Sequence, residues 1–211
     1  MAIVGILLVL GIILMSMTLH ELAHAYVAYW LGDDTAKQEG RLTLNPFKHL
    51  DWGLSVLLPL FLYIAKAPII GGAKPVPINA GNLKYKEWGM ALVAVAGPMM
   101  NFLLALMSFL IGHFSGLMYD GGLVGLFFTE MVLANLGFMV FNLLPLPPLD
   151  GSRVVYAIAP DGVRRLMSGL EGGLGLMLVY IVILVLGGAL GTAITKVIFG
   201  IIKGFYWLVG S

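Results

Sequence analysis

Two histidines and a glutamate stand where the chain has almost nothing else polar: His20-Glu21-Leu22-Ala23-His24 follows the apolar run from Ala2 to Met17. Residues four apart on a helix fall about 40° apart around its axis and one turn apart along it. That spacing lets two imidazoles bind one zinc ion and leaves Glu21 free to take a proton from a coordinated water. The competing reading is a chance match, with both imidazoles packed or hydrogen-bonded against neighbouring helices. Lipid burial weighs against it, because ionisable groups crowded into a spanning helix are costly and mark function by default. A zinc dication, one carboxylate ligand, an ionised Glu21 and two neutral histidines also sum to zero charge.

A catalytic zinc commonly takes three protein ligands and keeps one position open. Beyond the histidine pair the chain offers His49, His113, Asp120, Glu130, Asp150 and Asp161. Depth separates them. His20 lies roughly 25 Å along its helix from the N-terminal side of the membrane, whereas Glu130 lies roughly 10 Å into its own span from that side. His113 and Asp120 belong to a connection on that same side. Asp150 follows a span at its far end, in Pro145-Leu146-Pro147-Pro148-Leu149-Asp150-Gly151, where the proline run can fold it back toward the bundle. Alone, an Asp-Gly pair reads as a solvated turn; beside two histidines short of an oxygen ligand, Asp150 is the best third ligand.

Other polar residues of the spans carry weaker signals. Glu130 marks a polar pathway, a gating contact or a buried hydrogen bond, and the sequence does not choose among these. His49 and His113 read as ordinary interfacial histidines, and the methionines and aromatics as packing and belt residues. Asn142 either hydrogen-bonds a neighbouring helix or holds a substrate carbonyl beside the metal. Gly97-Pro98 with Asn101 reads as structural, with close helix approach at the glycine and the amide bridging freed backbone groups.

The elements that must position these groups follow from apolar run lengths. Spans are expected at about Ile3–Leu31, Trp88–Ile111, Leu123–Leu144 and Leu174–Ile194, each long enough for a hydrocarbon layer of roughly 30 Å. Residues 196–211 read as a continuation of the last span or an interfacial tail anchored by Tyr206 and Trp207. Leu54–Ala65 is short for a span and holds Pro59, which predicts re-entrance rather than crossing. Gly40–Pro46 alternates apolar and polar residues, which predicts a short strand with a turn at Asn45-Pro46. The Gly- and Pro-rich stretch 67–82 cannot be helical and must lie in water or line an enclosed cavity. Residues 152–171 suggest an amphipathic surface helix. The expected fold is therefore an all-α polytopic membrane protein with about four transmembrane helices, a re-entrant segment and short membrane-associated β-strands. It forms a single domain over residues 1–211.

Composition agrees. The 211 residues are 60% hydrophobic and 11% charged, against about a quarter charged in soluble domains. A net charge of +1 gives no sign of nucleic-acid binding, and the absence of cysteine excludes disulfides and thiolate metal sites. The first apolar run has no basic residue ahead of it and leads into the histidine motif, so it is expected to be a mature helix rather than a signal peptide. Ten of the twelve Lys and Arg fall in 32–51, 66–87 and 152–171, while 112–122 holds none. If 54–65 does not cross, these basic segments share one side, which the positive-inside rule makes cytoplasmic. The histidines then lie toward the cytoplasmic half of what is expected to be the cell membrane.

The combination of His20-Glu21-x-x-His24, Gly97-Pro98-x-x-Asn101 and Asn142-x-x-Pro145-x-x-x-x-Asp150-Gly151 resembles the site-2 protease family of intramembrane zinc metalloproteases. The stretch Gly72-x-Lys74-Pro75-Val76-Pro77-Ile78-Asn79 is similar to that family's membrane-associated extended segment. The motifs cover residues 20–151 in the family's order. The resemblance implies one zinc per chain held by His20, His24 and Asp150, with Glu21 as general base and Asn142 orienting the substrate. It implies hydrolysis of a peptide bond in or near a transmembrane helix of a protein substrate. No segment has room for the PDZ or CBS insertion of larger members. The alternatives are a non-proteolytic metal-binding membrane protein, such as a transporter, and a silent scaffold that binds helices without cutting them.

Overall fold

The computed structural model describes residues 2–57, 60–61, 64, 72–170 and 173–210. Among these are seven α-helices: α1 (Ala2–Trp30), a single turn α2 (Thr35–Gln38), α3 (Lys86–Phe114), α4 (Leu123–Asn142), α5 (Asp150–Ile158), α6 (Asp161–Gly169) and α7 (Gly173–Leu208). Four of them, α1, α3, α4 and most of α7, are long and apolar enough to cross a membrane. The protein is an all-α, polytopic integral membrane protein.

Helices α1, α3 and α4 pack on one another, α5 folds against α3, and α7 lies against α4. Burial is inverted relative to a soluble protein. Ser16, Thr18, His20, His24, Asn101, Ser108 and Asn135 are buried, while Ile3, Leu7, Leu10, Leu103, Met107 and Val185 are exposed. This is the arrangement expected where lipid replaces water and polar side chains must find partners between helices. One apolar cluster, Ala105, Phe109, Val132, Leu136 and Phe205, joins α3, α4 and α7.

Helix α1 ends because Gly32 takes φ +106°, a conformation that side-chain-bearing residues rarely adopt. Gly32 N donates to Tyr29 O and Asp33 N to Ala28 O, the paired bonds that close a helix C-terminus at a glycine. Asp33 is left buried just past that end. Its carboxylate accepts from Thr35 N and Oγ1, Asn79 N and Asn82 Nδ2. Burial alone would raise its pKa, but these donors outweigh burial and hold it below the usual carboxylate value. This one side chain ties residues 79–82 to the end of α1.

The last span continues to Leu208 as one helix, the first of the two readings of 196–211. Several expectations change. The amphipathic surface helix is two, α5 and α6, because Pro160 drives Ala159 into extended backbone (ψ 146°). No β-strand occurs among the described residues. Over 40–46 local bonds replace a ladder: Arg41 N donates to Ala36 O, Thr43 N to Arg41 O and Asn45 N to Thr43 Oγ1, and Pro46–Lys48 is a 3-10 turn. Of the stretch 67–82 expected to be non-helical, 67–71 lie outside the described residues, 72–79 are non-helical with no described strand beside them, and Ala80–Asn82 form a 3-10 turn capped by Asn79. The re-entrant segment expected at 54–65 lies in part outside the described residues, and Trp52–Leu57 at its start is a π-type turn.

Candidate metal centre

The turn 143–149 brings Asp150 to the histidines. Leu146 N donates to Leu144 O, Leu149 N to Leu146 O and Ser152 N to Leu149 O, which reverses the chain after α4 and starts α5 at Asp150. Gly151 lets this reversal close, since a Cβ there would overlap the carbonyl oxygens of Leu143 and Leu144.

Helix α3 seats both imidazoles with three residues on successive turns of one face, Val93, Gly97 and Asn101. Val93 O lies 2.7 Å from His24 Nδ1 and Asn101 Oδ1 lies 2.6 Å from His20 Nδ1. Between them, Gly97 leaves the room: a Cβ there would lie 2.6 Å from His20 Nε2 and nearer still to His24 Nε2. The backbone carbonyl can only accept, so His24 Nδ1 carries the proton and its Nε2 presents a lone pair.

The facing atoms are His20 Nε2, His24 Nε2 and Asp150 Oδ2. Their separations are 3.0 Å between the histidines, and 3.2 Å and 3.4 Å from them to the carboxylate. Zinc bonds of 2.0–2.1 Å in a tetrahedron put ligand atoms about 3.3 Å apart, so the three atoms fit one face of such a site. Asp150 Oδ2 is buried without a hydrogen-bond partner, an orphan that a cation would satisfy. These residues fit zinc by donor type, spacing and orientation.

Among the described residues, no other group of three His, Cys, Asp or Glu could hold a metal ion. The structure thus brings His20, His24 and Asp150 together and leaves the rejected candidates apart. Glu21 is half-buried beside them, and its Oε2 accepts from Val76 N at 3.1 Å. Asn142 is not drawn in by any described contact, and its amide donates to Phe138 O on its own helix. Asn101 bonds side chains rather than freed backbone, contrary to the structural reading of its motif. His49 is buried rather than interfacial, bonding Thr43 O through Nε2 while its carbonyl receives Lys74 N. His113 sits at the other end of α3, against Tyr119 and Tyr206. The Val93 carbonyl and Val76 amide carry no signal in the sequence, because every residue type supplies the first and every type but proline the second. The four-residue step from Gly97 to Asn101, matching that of the histidines, was the available signal for the seat on α3.

Curated relatives carry the same chemistry in their names. The chain is 44% identical over 165 residues, 75% of its length and 72% of the relative's, to the "Putative zinc metalloprotease YwhC" of Bacillus subtilis. It is 30% and 31% identical to proteins named "Putative zinc metalloprotease Rip2" from Mycolicibacterium smegmatis and Mycobacterium tuberculosis, over 80% and 79% of this chain. The chain belongs to the site-2 protease family of intramembrane zinc metalloproteases. It spans 64% and 63% of the two Rip2 proteins, just under two thirds of their length. No family model and no solved structure matches the chain. The family makes this protein a zinc-dependent hydrolase of the membrane, and the transporter alternative is not favoured.

Proposed function

We propose that this protein hydrolyses a peptide bond in or near a transmembrane helix of a membrane-protein substrate, with residues 1–211 acting as one protease domain. The observation that carries the reading is the convergence of His20, His24 and Asp150 beside Glu21. His20, His24 and Asp150 hold the zinc, which when bound supplies an acidified water and an electrophile for the scissile carbonyl. Glu21 takes the water proton and returns it to the leaving amine. Asn142 rotates from Phe138 O to hold a substrate carbonyl.

A helical substrate has its carbonyls already bonded and must unwind before attack. The extended residues 72–79 offer an edge for the unwound strand, a form of β-addition. Pro75 and Pro77 have no N–H to give, which leaves Val76 as the donor beside the catalytic groups. That N–H is held by Glu21. A substrate strand competing for it frees the carboxylate as the scissile bond arrives. Activity that survives replacement of both Lys74 and Asn79 on every substrate tried would argue against this edge. With 54–65 not crossing, the basic connections favour a site toward the cytoplasmic side of the cell membrane.

The test is Glu21→Gln. It should bind zinc at wild-type stoichiometry and lose cleavage of a model transmembrane substrate by 10²-fold or more, the usual contribution of a general base. Retained cleavage refutes the assignment. Chelator-insensitive cleavage refutes the zinc mechanism.

A further inference from the structure

Asn135 lies on α4, seven residues before Asn142 and outside every motif read from the sequence, yet it is fully buried. Its Nδ2 donates to Met131 O and to Ser16 Oγ, both at 2.9 Å. Its Oδ1 accepts from Asn101 Nδ2 at 2.8 Å, and Asn101 Oδ1 faces His20 Nδ1 at 2.6 Å.

Each step in this chain fixes the next. Met131 O is a backbone carbonyl and cannot donate, so it must face the amide nitrogen of Asn135; the flipped amide would set two oxygens against each other with no proton between. Asn135 Oδ1 therefore points at Asn101 and demands the Asn101 nitrogen. Asn101 is left with its oxygen toward His20, which requires the proton on Nδ1 and leaves the lone pair on Nε2. A lone asparagine beside His20 would have no such direction: either end of its amide can meet the ring, because a neutral imidazole nitrogen serves as donor or acceptor. His24 needs no relay, since Val93 O binds it directly.

We propose that Asn135 is a positioning residue that locks His20, through Asn101, in the tautomer whose Nε2 can bind zinc. The proposal rests on His20 being a ligand. Its rival is that the buried amides only tie α1, α3 and α4 together, as satisfied polar networks do.

The experiment uses the full chain in detergent, with ¹⁵N-labelled histidine and zinc removed. In wild type, His20 should show a protonated Nδ1, whatever Nε2 carries once the cation is gone. In Asn135→Leu a form with a bare Nδ1 should appear, and zinc affinity by competitive chelation should fall about 10- to 100-fold, the usual effect of losing an outer partner of a metal-binding histidine. Asn101→Asp combined with Asn135→Leu should recover most of that loss, because a carboxylate accepts from Nδ1–H whichever way it turns. Ser16→Ala cuts the bond between α1 and α4 but spares Met131 O, so its affinity should stay within about threefold of wild type.

A wild-type spectrum with a bare Nδ1 overturns the relay by itself, whether or not the leucine variant folds. So does wild-type affinity in Asn135→Leu, or a double variant as weak as that single one. A large loss in Ser16→Ala favours the tether instead. If the wild-type chain binds no zinc, or His20→Gln binds it as tightly, the ligand assignment fails rather than the relay.

Discussion

Replacing Gly97 by alanine adds one methyl group where the Nε2 atoms of His20 and His24 already lie. The new Cβ would sit 2.6 Å from His20 Nε2 and closer to His24 Nε2, short of ordinary contact by about 1 Å. Either the imidazoles swing away from Asp150 or α3 withdraws and takes Val93 O and Asn101 with it. Both responses spoil a site whose ligand distances must hold to within about 0.2 Å. In the zinc-free protein stability should fall by no more than about 2 kcal/mol, since overpacking costs about 1–3 kcal/mol and alanine gains about 1 kcal/mol over glycine within a helix. Zinc affinity, by contrast, should fall tenfold or more and cleavage about 10²-fold, the scale of a 1 Å misplacement at a reacting centre. The assay is zinc per chain and competitive chelation on detergent-purified protein, alongside cleavage of a model substrate and a thermal melt. Gly137→Ala is the control, because a Cβ there meets nothing within 4 Å; it should keep zinc and melt at or above the wild-type temperature. Full zinc occupancy at wild-type affinity in Gly97→Ala would refute the geometry argued for the seat on α3.

Other outcomes follow from the same contacts. Chelation should lower the melting temperature reversibly, because the three converging acceptor atoms lose the cation that relieves them; zinc at a thousandfold excess over its dissociation constant contributes about 4 kcal/mol, and an unchanged melt would count against a structural share for the metal. Asp33→Ala should cost about 1.5–3 kcal/mol by stranding Asn79 N and Thr35 N, read as a drop in denaturation midpoint. Because folding holds the Asp33 carboxyl below its usual value, its contribution is complete above that value and fades as pH falls through the acid range; the acid sensitivity should be smaller in the variant. Asn142→Ala should leave zinc content unchanged while weakening cleavage, chiefly through KM for a substrate that needs its carbonyl held; lost zinc would make Asn142 part of the metal seat instead.

How far the site was legible depends on which kind of group does each job. His20, Glu21 and His24 lie within one helical turn and a half, so helix periodicity alone puts them on one face. Asp150 could be chosen by depth, since the lengths of the apolar runs fix how far each acid stands from the membrane surface. The strand expected at 40–46 failed because alternation of Leu42 and Leu44 says nothing about whether a partner strand exists. There the backbone groups bond locally instead. The two-helix form of 150–169 is written in Pro160, which bars helix at Ala159.

The one-dimensional record marks which side chains can bind a cation and what depth to expect of them, because spacing and hydropathy are properties of neighbours along the chain. What only the packed bundle decided is which atom of each side chain does the work. Val93 O, the space at Gly97 and the Asn135–Asn101 pair act across helix interfaces, and the Val76 N–H reaches α1 from an extended segment. Their partners are 55 to 81 residues away for the contacts with Glu21, His20 and His24, and most are backbone groups common to every residue type. Lipid cannot hydrogen-bond them, so each had to be matched by another part of the fold, and that matching exists only in three dimensions.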